Sequence, residues 1–196
     1  MKIWKLAAIA LTIFFAFNHG SAQTGQTLTG VPITGNIVSY GSRTYTGVRT
    51  GSFTLTLDSF TPNADVERYI TVLREGGQNR LLDTIRGNRV GRFSVNQGLG
   101  RDIMVAVQSG SGGNTKIYAI FERWTEFAEL RSGRRSLDFP FGYIELTINP
   151  QTGRGSGQYI AAAQIRWRNT RSGYQIQITD YATRIARITN VRIQGR

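Results

Sequence analysis

The chain has 196 residues, with 24 Lys+Arg against 12 Asp+Glu, 23 Gly, no Cys and a formal net charge of +12. That length supports one domain, and the missing Cys excludes disulfide frameworks, thiolate zinc sites and Cys nucleophiles. The single His, His19, falls in a segment expected to be removed on export, so the mature chain would also lack imidazole for Ser-His-Asp catalysis or zinc binding.

Residues 1–22 read as a signal peptide. Lys2 and Lys5 make a positive start, Leu6 to Phe17 is mostly apolar, and small residues precede a cut after Ala22. The apolar run is short for a membrane span, which needs about 20 residues, so the mature chain carries no integral span on this reading. It is expected in the periplasm or outside the cell. Without Lys2 and Lys5, 22 basic residues face 12 acids, and all but Lys116 are Arg. Such an excess predicts attraction to anionic lipid, acidic glycan or another polyanion.

Residues 23–50 are Thr- and Gly-rich, interrupted by Pro32, and read as an extended N-terminal arm and edge strand. Residues 51–196 form a single β-rich domain. Phe53, Leu55 and Leu57 alternate with polar residues as in a half-buried strand. Thr61-Pro62-Asn63 then starts a helix with Val66, Tyr69, Ile70 and Leu73 on one stripe, and Gly76-Gly77 stops it. Leu81, Leu82 and Ile85 suggest a second helix, making a helical hairpin insertion over about 62–86. Strands resume at Val90 to Val95, from Ile103, and over Lys116 to Trp124, with a short one suggested at Glu126 to Leu130. Gly142 to Ile148 is the next strand, with Ile144, Leu146 and Ile148 inward. The longest strand places Tyr159, Ala161, Ala163, Ile165 and Trp167 on one face, its run of alanines suiting a curved sheet. Tyr174 to Ile178 and Ile185 to Ile193 end the series. The expected class is α+β, mostly β: an antiparallel curved sheet or barrel of about 8–10 strands with one helical insertion.

Several stretches in order carry a resemblance: Gly51 to Asp58, Asp65 to Arg68, Leu73 to Gln78, Val90 to Arg92, Gly100 to Ile103, Asp138 to Leu146, Ala161 to Ile165 and Ile188 to Arg192. Over about residues 51–192 the chain resembles an uncharacterised family of small exported bacterial proteins of acidobacterial type. The resemblance implies export and one shared domain, and it carries no activity, ligand or catalytic residue.

With imidazole and thiol gone, carboxylates are the remaining general bases. Glu122, Glu126, Glu129, Asp138 and Glu145 could act in glycan hydrolysis only if the fold set two of them about 5–9.5 Å apart. Glu145 is singled out because it faces away from Ile144 and Leu146, where an Arg partner such as Arg166 or Arg168 would be needed if it were buried. Arg134 and Arg135 crowd one loop, and Arg166 and Arg168 flank Trp167, a basic–aromatic arrangement suited to anions. Trp124, Phe127, Phe139, Phe141 and Tyr143 read chiefly as packing residues. Glycine clusters at 109–113 and 153–157 lack the Lys-Ser/Thr of a phosphate loop. Candidate ligand-binding residues are therefore Arg134, Arg135, Glu145, Arg166, Trp167 and Arg168. No catalytic residue, metal or cofactor is expected. The reading is a non-enzymatic exported binding or envelope-associated module for an anionic or apolar partner: an anionic glycan, a lipid head group or an envelope protein, with nucleic acid disfavoured. A carboxylate-dependent extracellular glycan hydrolase and a small outer-membrane β-barrel are the alternatives.

Overall fold

A computed structural model describes residues 11–13, 28–40, 48–111, 113–124, 138–170, 173–180 and 185–195. The strands are β1 (Leu11–Ile13), β2 (Ile33–Tyr40), β3 (Val48–Leu57), β4 (Gly91–Val95), β5 (Arg101–Ser111), β6 (Asn114–Glu122), β7 (Phe141–Ile148), β8 (Arg154–Thr170), β9 (Gly173–Asp180) and β10 (Ala186–Ile193). One helix, α1 (Asn63–Ile85), lies between β3 and β4. All neighbours are antiparallel, in the order β1-β9-β8-β10-β2-β3-β4-β5-β6-β7. A further β7–β8 pairing closes the ring. Eight strands, β2–β8 and β10, thus form a closed barrel, and the α+β, mostly β expectation with one helical insertion holds.

Alternation fills the interior. Ile33, Ile37, Phe53, Leu55, Leu57, Phe93, Ile103, Ile117, Phe121, Ile144, Leu146, Ile148, Ile188 and Val191 are buried in one inner cluster. An eight-stranded barrel has room for side chains and little else, so large inward residues need small partners. Phe53 lies across from Gly35, and Phe121 across from Gly142. At either glycine an added Cβ would run into the facing ring. Backbone and ring therefore share the same space, as where an aromatic covers a cross-strand glycine.

This pairing also corrects the reading of residues 23–50. β2 is no edge strand but a stave between β10 and β3, with Ile33 and Ile37 in the core. Its apolar signal is weak because Gly35 replaces a large residue where the Phe53 ring sits. Residues 23–27 and 41–47 lie outside the described residues, as does the suggested strand at 126–130. Of the expected signal peptide, only the backbone of Leu11–Ile13 is described, a short strand on β9.

β8 is the longest element, at 17 residues. Its first half closes the barrel between β7 and β10, and its second half leaves the ring in a hairpin with β9. A register shift near Ala161-Ala162 marks the departure. One extra residue reverses the alternation. Tyr159 consequently points into the barrel, whereas Ala163 and Ile165 join an outer cluster and Ala161 is exposed. The expected single face from Tyr159 to Trp167 is split there.

The helix covers that outer cluster. Tyr69, Leu73, Leu81, Leu82 and Ile85 pack with Met104, Val105, Phe141, Tyr143, Ile160 and Ile165. α1 is two helical stretches joined at Gly77, whose φ of 71° and ψ of −173° break the helix. Gln78 fastens the break: its Nε2 donates to the Asp138 carbonyl (2.9 Å) and its Oε1 accepts from Ile165 N–H (3.3 Å). A narrow apolar cavity of about 60 Å³ remains between helix and wall, lined in part by Tyr69, Leu73, Val105, Tyr143 and Ile176. Among the described residues no helix is long and apolar enough to cross a membrane.

Candidate functional site

The two barrel ends differ. At the lower end, Leu28 is buried, Gly30 N–H bonds Leu57 O (2.7 Å) and Gln194 N–H bonds Pro32 O (2.9 Å). At the upper end the described residues leave a space. A cup of about 530 Å³ lies there, lined by Ile37 and Ser39 of β2, Arg49 to Gly51 of β3, the Val95 to Leu99 turn, Trp124 and Tyr159. Small inward residues make the space. Gly51 lies on the inward column directly above Phe53, and Ser39 continues the column of Ile37.

The turn beside the cup is built by Asn96. Its N–H donates to Ser52 O (2.8 Å) while its Oδ1 accepts from Ser52 N–H (2.9 Å), extending the β3–β4 ladder by one step. Asn96 and Gln97 both have positive φ, 50° and 57°. The tight reversal leaves Leu99 89% exposed on the rim.

Trp124 and Tyr159 line the cup, and buried rings pack behind them. Phe93 lies 5.3 Å from Phe121, 5.9 Å from Trp124, 5.7 Å from Tyr159 and 6.0 Å from Phe53, centroid to centroid. Trp124 meets Phe121 edge-on at 5.3 Å. The Tyr159 hydroxyl makes no hydrogen bond among the described residues, and burial alone pushes its pKa well above the usual tyrosine value. Arg101 faces inward opposite Phe93, and its guanidinium lies over the Trp124 ring at 5.8 Å. Its Nε is buried without a hydrogen-bond partner, and Arg101 makes no ion pair among the described residues. A cation held against Trp124, a ring that itself lines the cup, is suited to a ligand with an apolar body and an anionic end.

The residues singled out from sequence fall elsewhere. Glu145 stands on the outer wall, with its side chain 12% exposed, and pairs with Lys116 Nζ (3.7 Å). It also accepts from the Tyr143 hydroxyl (3.2 Å) and Gln158 Nε2 (3.3 Å). Burial first, then the Glu145 charge, drives the Tyr143 pKa far upward, and the Tyr118 pKa is raised mainly by burial. Glu145 thus has a cation, but the expected partners Arg166 and Arg168 lie at least eight residues further along β8 from Gln158, its cross-strand neighbour. Those two arginines are exposed, while Trp167 turns to the opposite side and packs against the helix cluster. A strand sends neighbours to opposite faces, so the three do not form one basic–aromatic surface. Arg134 and Arg135 lie outside the described residues, as do Glu126, Glu129 and Phe127.

Glu122 pairs with Arg86 (3.4 Å). It sits opposite Phe141 on the ladder, whereas Glu145 sits opposite Tyr118. Four residues of strand separate the two acids, about 13 Å, more than the span of a glycosidase pair. The cup itself escaped notice because its residues come from β2, β3, the β4–β5 turn, the end of β6 and β8. The one available signal was the pairing of inward small residues with the aromatic-rich segment at Trp124. No protein-family model, curated protein or solved structure matches this chain.

Proposed function

We propose that the protein is a non-enzymatic exported binding module whose barrel mouth holds a small amphiphile, its anionic group at Arg101 and its apolar part against the rings. The observation that carries this is Arg101: an inward-facing cation over Trp124, with a buried Nε that nothing among the described residues satisfies. Buried polar atoms are almost always hydrogen-bonded, and an anion at Arg101 would supply the missing acceptor. Arg49 on the adjoining wall adds a second charge near the same cup. Export, from the Lys2 to Ala22 pattern, and the likeness to small exported bacterial proteins, from stretches between residues 51 and 192, belong to this reading.

The outer-membrane alternative requires an apolar outward band. The outward positions of β3 are instead Thr50, Ser52, Thr54 and Thr56, and the apolar residues point inward. Against the hydrolase alternative, Glu122 and Glu145 stand about 13 Å apart, too far for a glycosidase pair.

A brominated long-chain fatty acid tests the proposal. In a W4F/W167F variant, Trp124 is the single indole, and its fluorescence should be quenched saturably. R101Q should weaken fatty-acid binding about tenfold, the size of one charge-assisted contact, and leave the matching fatty alcohol within twofold. No saturable quenching, or equal weakening for acid and alcohol, sinks the assignment.

A further inference from the structure

The part of the barrel wall that α1 leaves bare has a composition of its own. Its outward positions are Arg154, Ser156 and Gln158 on β8, Arg187, Thr189 and Arg192 on β10, Thr34, Asn36 and Val38 on β2, and Thr50 to Thr56 on β3. Three are arginines and none is acidic. Glu145 on β7, the cross-strand partner of Gln158, is engaged by Lys116 and Gln158. Arg154 and Arg192 are direct cross-strand partners. Both are exposed, and neither guanidinium makes a hydrogen bond or ion pair among the described residues, nor does that of Arg187. Like charges placed directly opposite destabilise a sheet, so the pair works against the fold as it stands.

Register extends the pair into a row. Arg154, Arg192, Thr34, Thr54 and Ser94 lie side by side across five strands. Thr189, Asn36 and Ser52 make a second row, and Gln158, Arg187, Val38 and Thr50 a third. A bulge in β10 between Thr189 and Arg192, with Asn190 at φ 53°, keeps both Arg187 and Arg192 outward although five positions separate them. Four residues of β2 separate Thr34 from Val38, so the outer rows lie about 13 Å apart.

We infer that this face binds an extended acidic polysaccharide. The Arg154–Arg192 forks would take a carboxylate or sulfate bidentately, Arg187 a second acidic group further along, and the intervening Thr, Ser and Asn side chains the sugar hydroxyls. Single-stranded nucleic acid is held by aromatic platforms between basic residues, and these rows contain no aromatic. A bilayer surface favours apolar residues that insert beside the charges, and Val38 is the single apolar residue in the three rows. The inference is independent of the ligand in the barrel mouth, because the two sites share no residue that carries either argument.

The test is titration calorimetry of the full chain with oligogalacturonate, using neutral dextran, oligothymidylate and phosphatidylglycerol vesicles as comparators. R154Q/R192Q should weaken oligogalacturonate binding at least tenfold. R166Q/R168Q removes the same two charges from another exposed stretch and should change it less than twofold. R154Q/R192Q should also melt at or above the parent temperature, because it relieves a repulsion. Equal weakening by both double variants would reduce the face to general charge. Tighter binding of the oligothymidylate or the vesicles would overturn the polysaccharide assignment. Melting below the parent would overturn the claim of an unrelieved pair.

Discussion

Phe93→Ala probes the barrel interior at its centre. Phe93 is fully buried and its ring approaches four others within 6.0 Å. Deleting the ring removes about 100 Å² of apolar burial, or about 2.5 kcal/mol. The wall is closed by backbone hydrogen bonds and cannot collapse far, so a residual cavity of about 70 Å³ adds about 1.7 kcal/mol. The total of about 4 kcal/mol corresponds to a midpoint shift of about 2 M in urea for a slope of about 2 kcal/mol/M. It also corresponds to a fall of about 8–16 °C in Tm. Two comparisons sharpen the measurement. Phe93→Leu keeps most of the volume and should cost no more than about 1.5 kcal/mol. Val38→Ala acts on the outward face of β2 and should cost less than about 1 kcal/mol. A one-residue slip of register would exchange inside and outside along a strand. A Phe93→Ala loss below about 1.5 kcal/mol, or a Val38→Ala loss as large as that of Phe93→Ala, would therefore refute the arrangement.

Two further outcomes follow from the same structure. Tyr143 and Tyr159 have folded-state pKa values raised above the ordinary value of 10 by burial. Their protons leave the unfolded chain first, so stability should hold below about pH 10 and then fall by up to about 1.4 kcal/mol per pH unit for each group. Tyr159→Phe should leave stability at pH 7 unchanged or higher and make the fall above pH 10 shallower in urea titrations; an unchanged alkaline slope would count against a buried phenol. Gly77 adopts a conformation open essentially to glycine alone, and an added Cβ there meets no atom within 4 Å. Gly77→Ala and Gly77→Asn should both cost about 1–3 kcal/mol through the backbone. A distinctly milder effect of Asn, measured by urea unfolding, would point to an ordinary left-handed residue instead.

Much of this fold was legible because most strands alternate cleanly. Phe53-Leu55-Leu57, Ile117-Ala119-Phe121 and Ile144-Leu146-Ile148 each show one face from composition alone. Gly76-Gly77 likewise announced the break in α1. The misses share a physical cause: they depend on what lies across the sheet. β2 resembled a loose arm because its inward Gly35 is filled by a ring from β3, eighteen positions later. The face of β8 reverses at a bulge that no local residue demands. Arg166-Trp167-Arg168 looked like a cluster because adjacency in sequence was allowed to stand for adjacency in space, and a strand separates such neighbours. Arg101 on Trp124, and Arg154 beside Arg192, were invisible for the opposite reason. Register joins residues that sequence keeps far apart.

The placement of strain argues for where recognition happens. At the level of Phe53, Phe93 and Phe121 every local choice agrees: large rings meet glycines, apolar faces point inward, and strand hydrogen bonds close the wall. A sequence selected for stability alone would continue in this manner to both ends and around the outside. It does not. At the mouth the inward columns run into Ser39, Gly51 and an Arg whose Nε lacks a partner among the described residues, and on the wall that α1 leaves bare two arginines face each other directly across the sheet. Filling the mouth with Leu, or replacing Arg192 with Thr, would violate no rule that the barrel obeys. Departures from internal consistency are expected at functional sites. Here they occur at two places that the folded core does not need, and at each the excess charge is positive, which is what the two proposed ligands require.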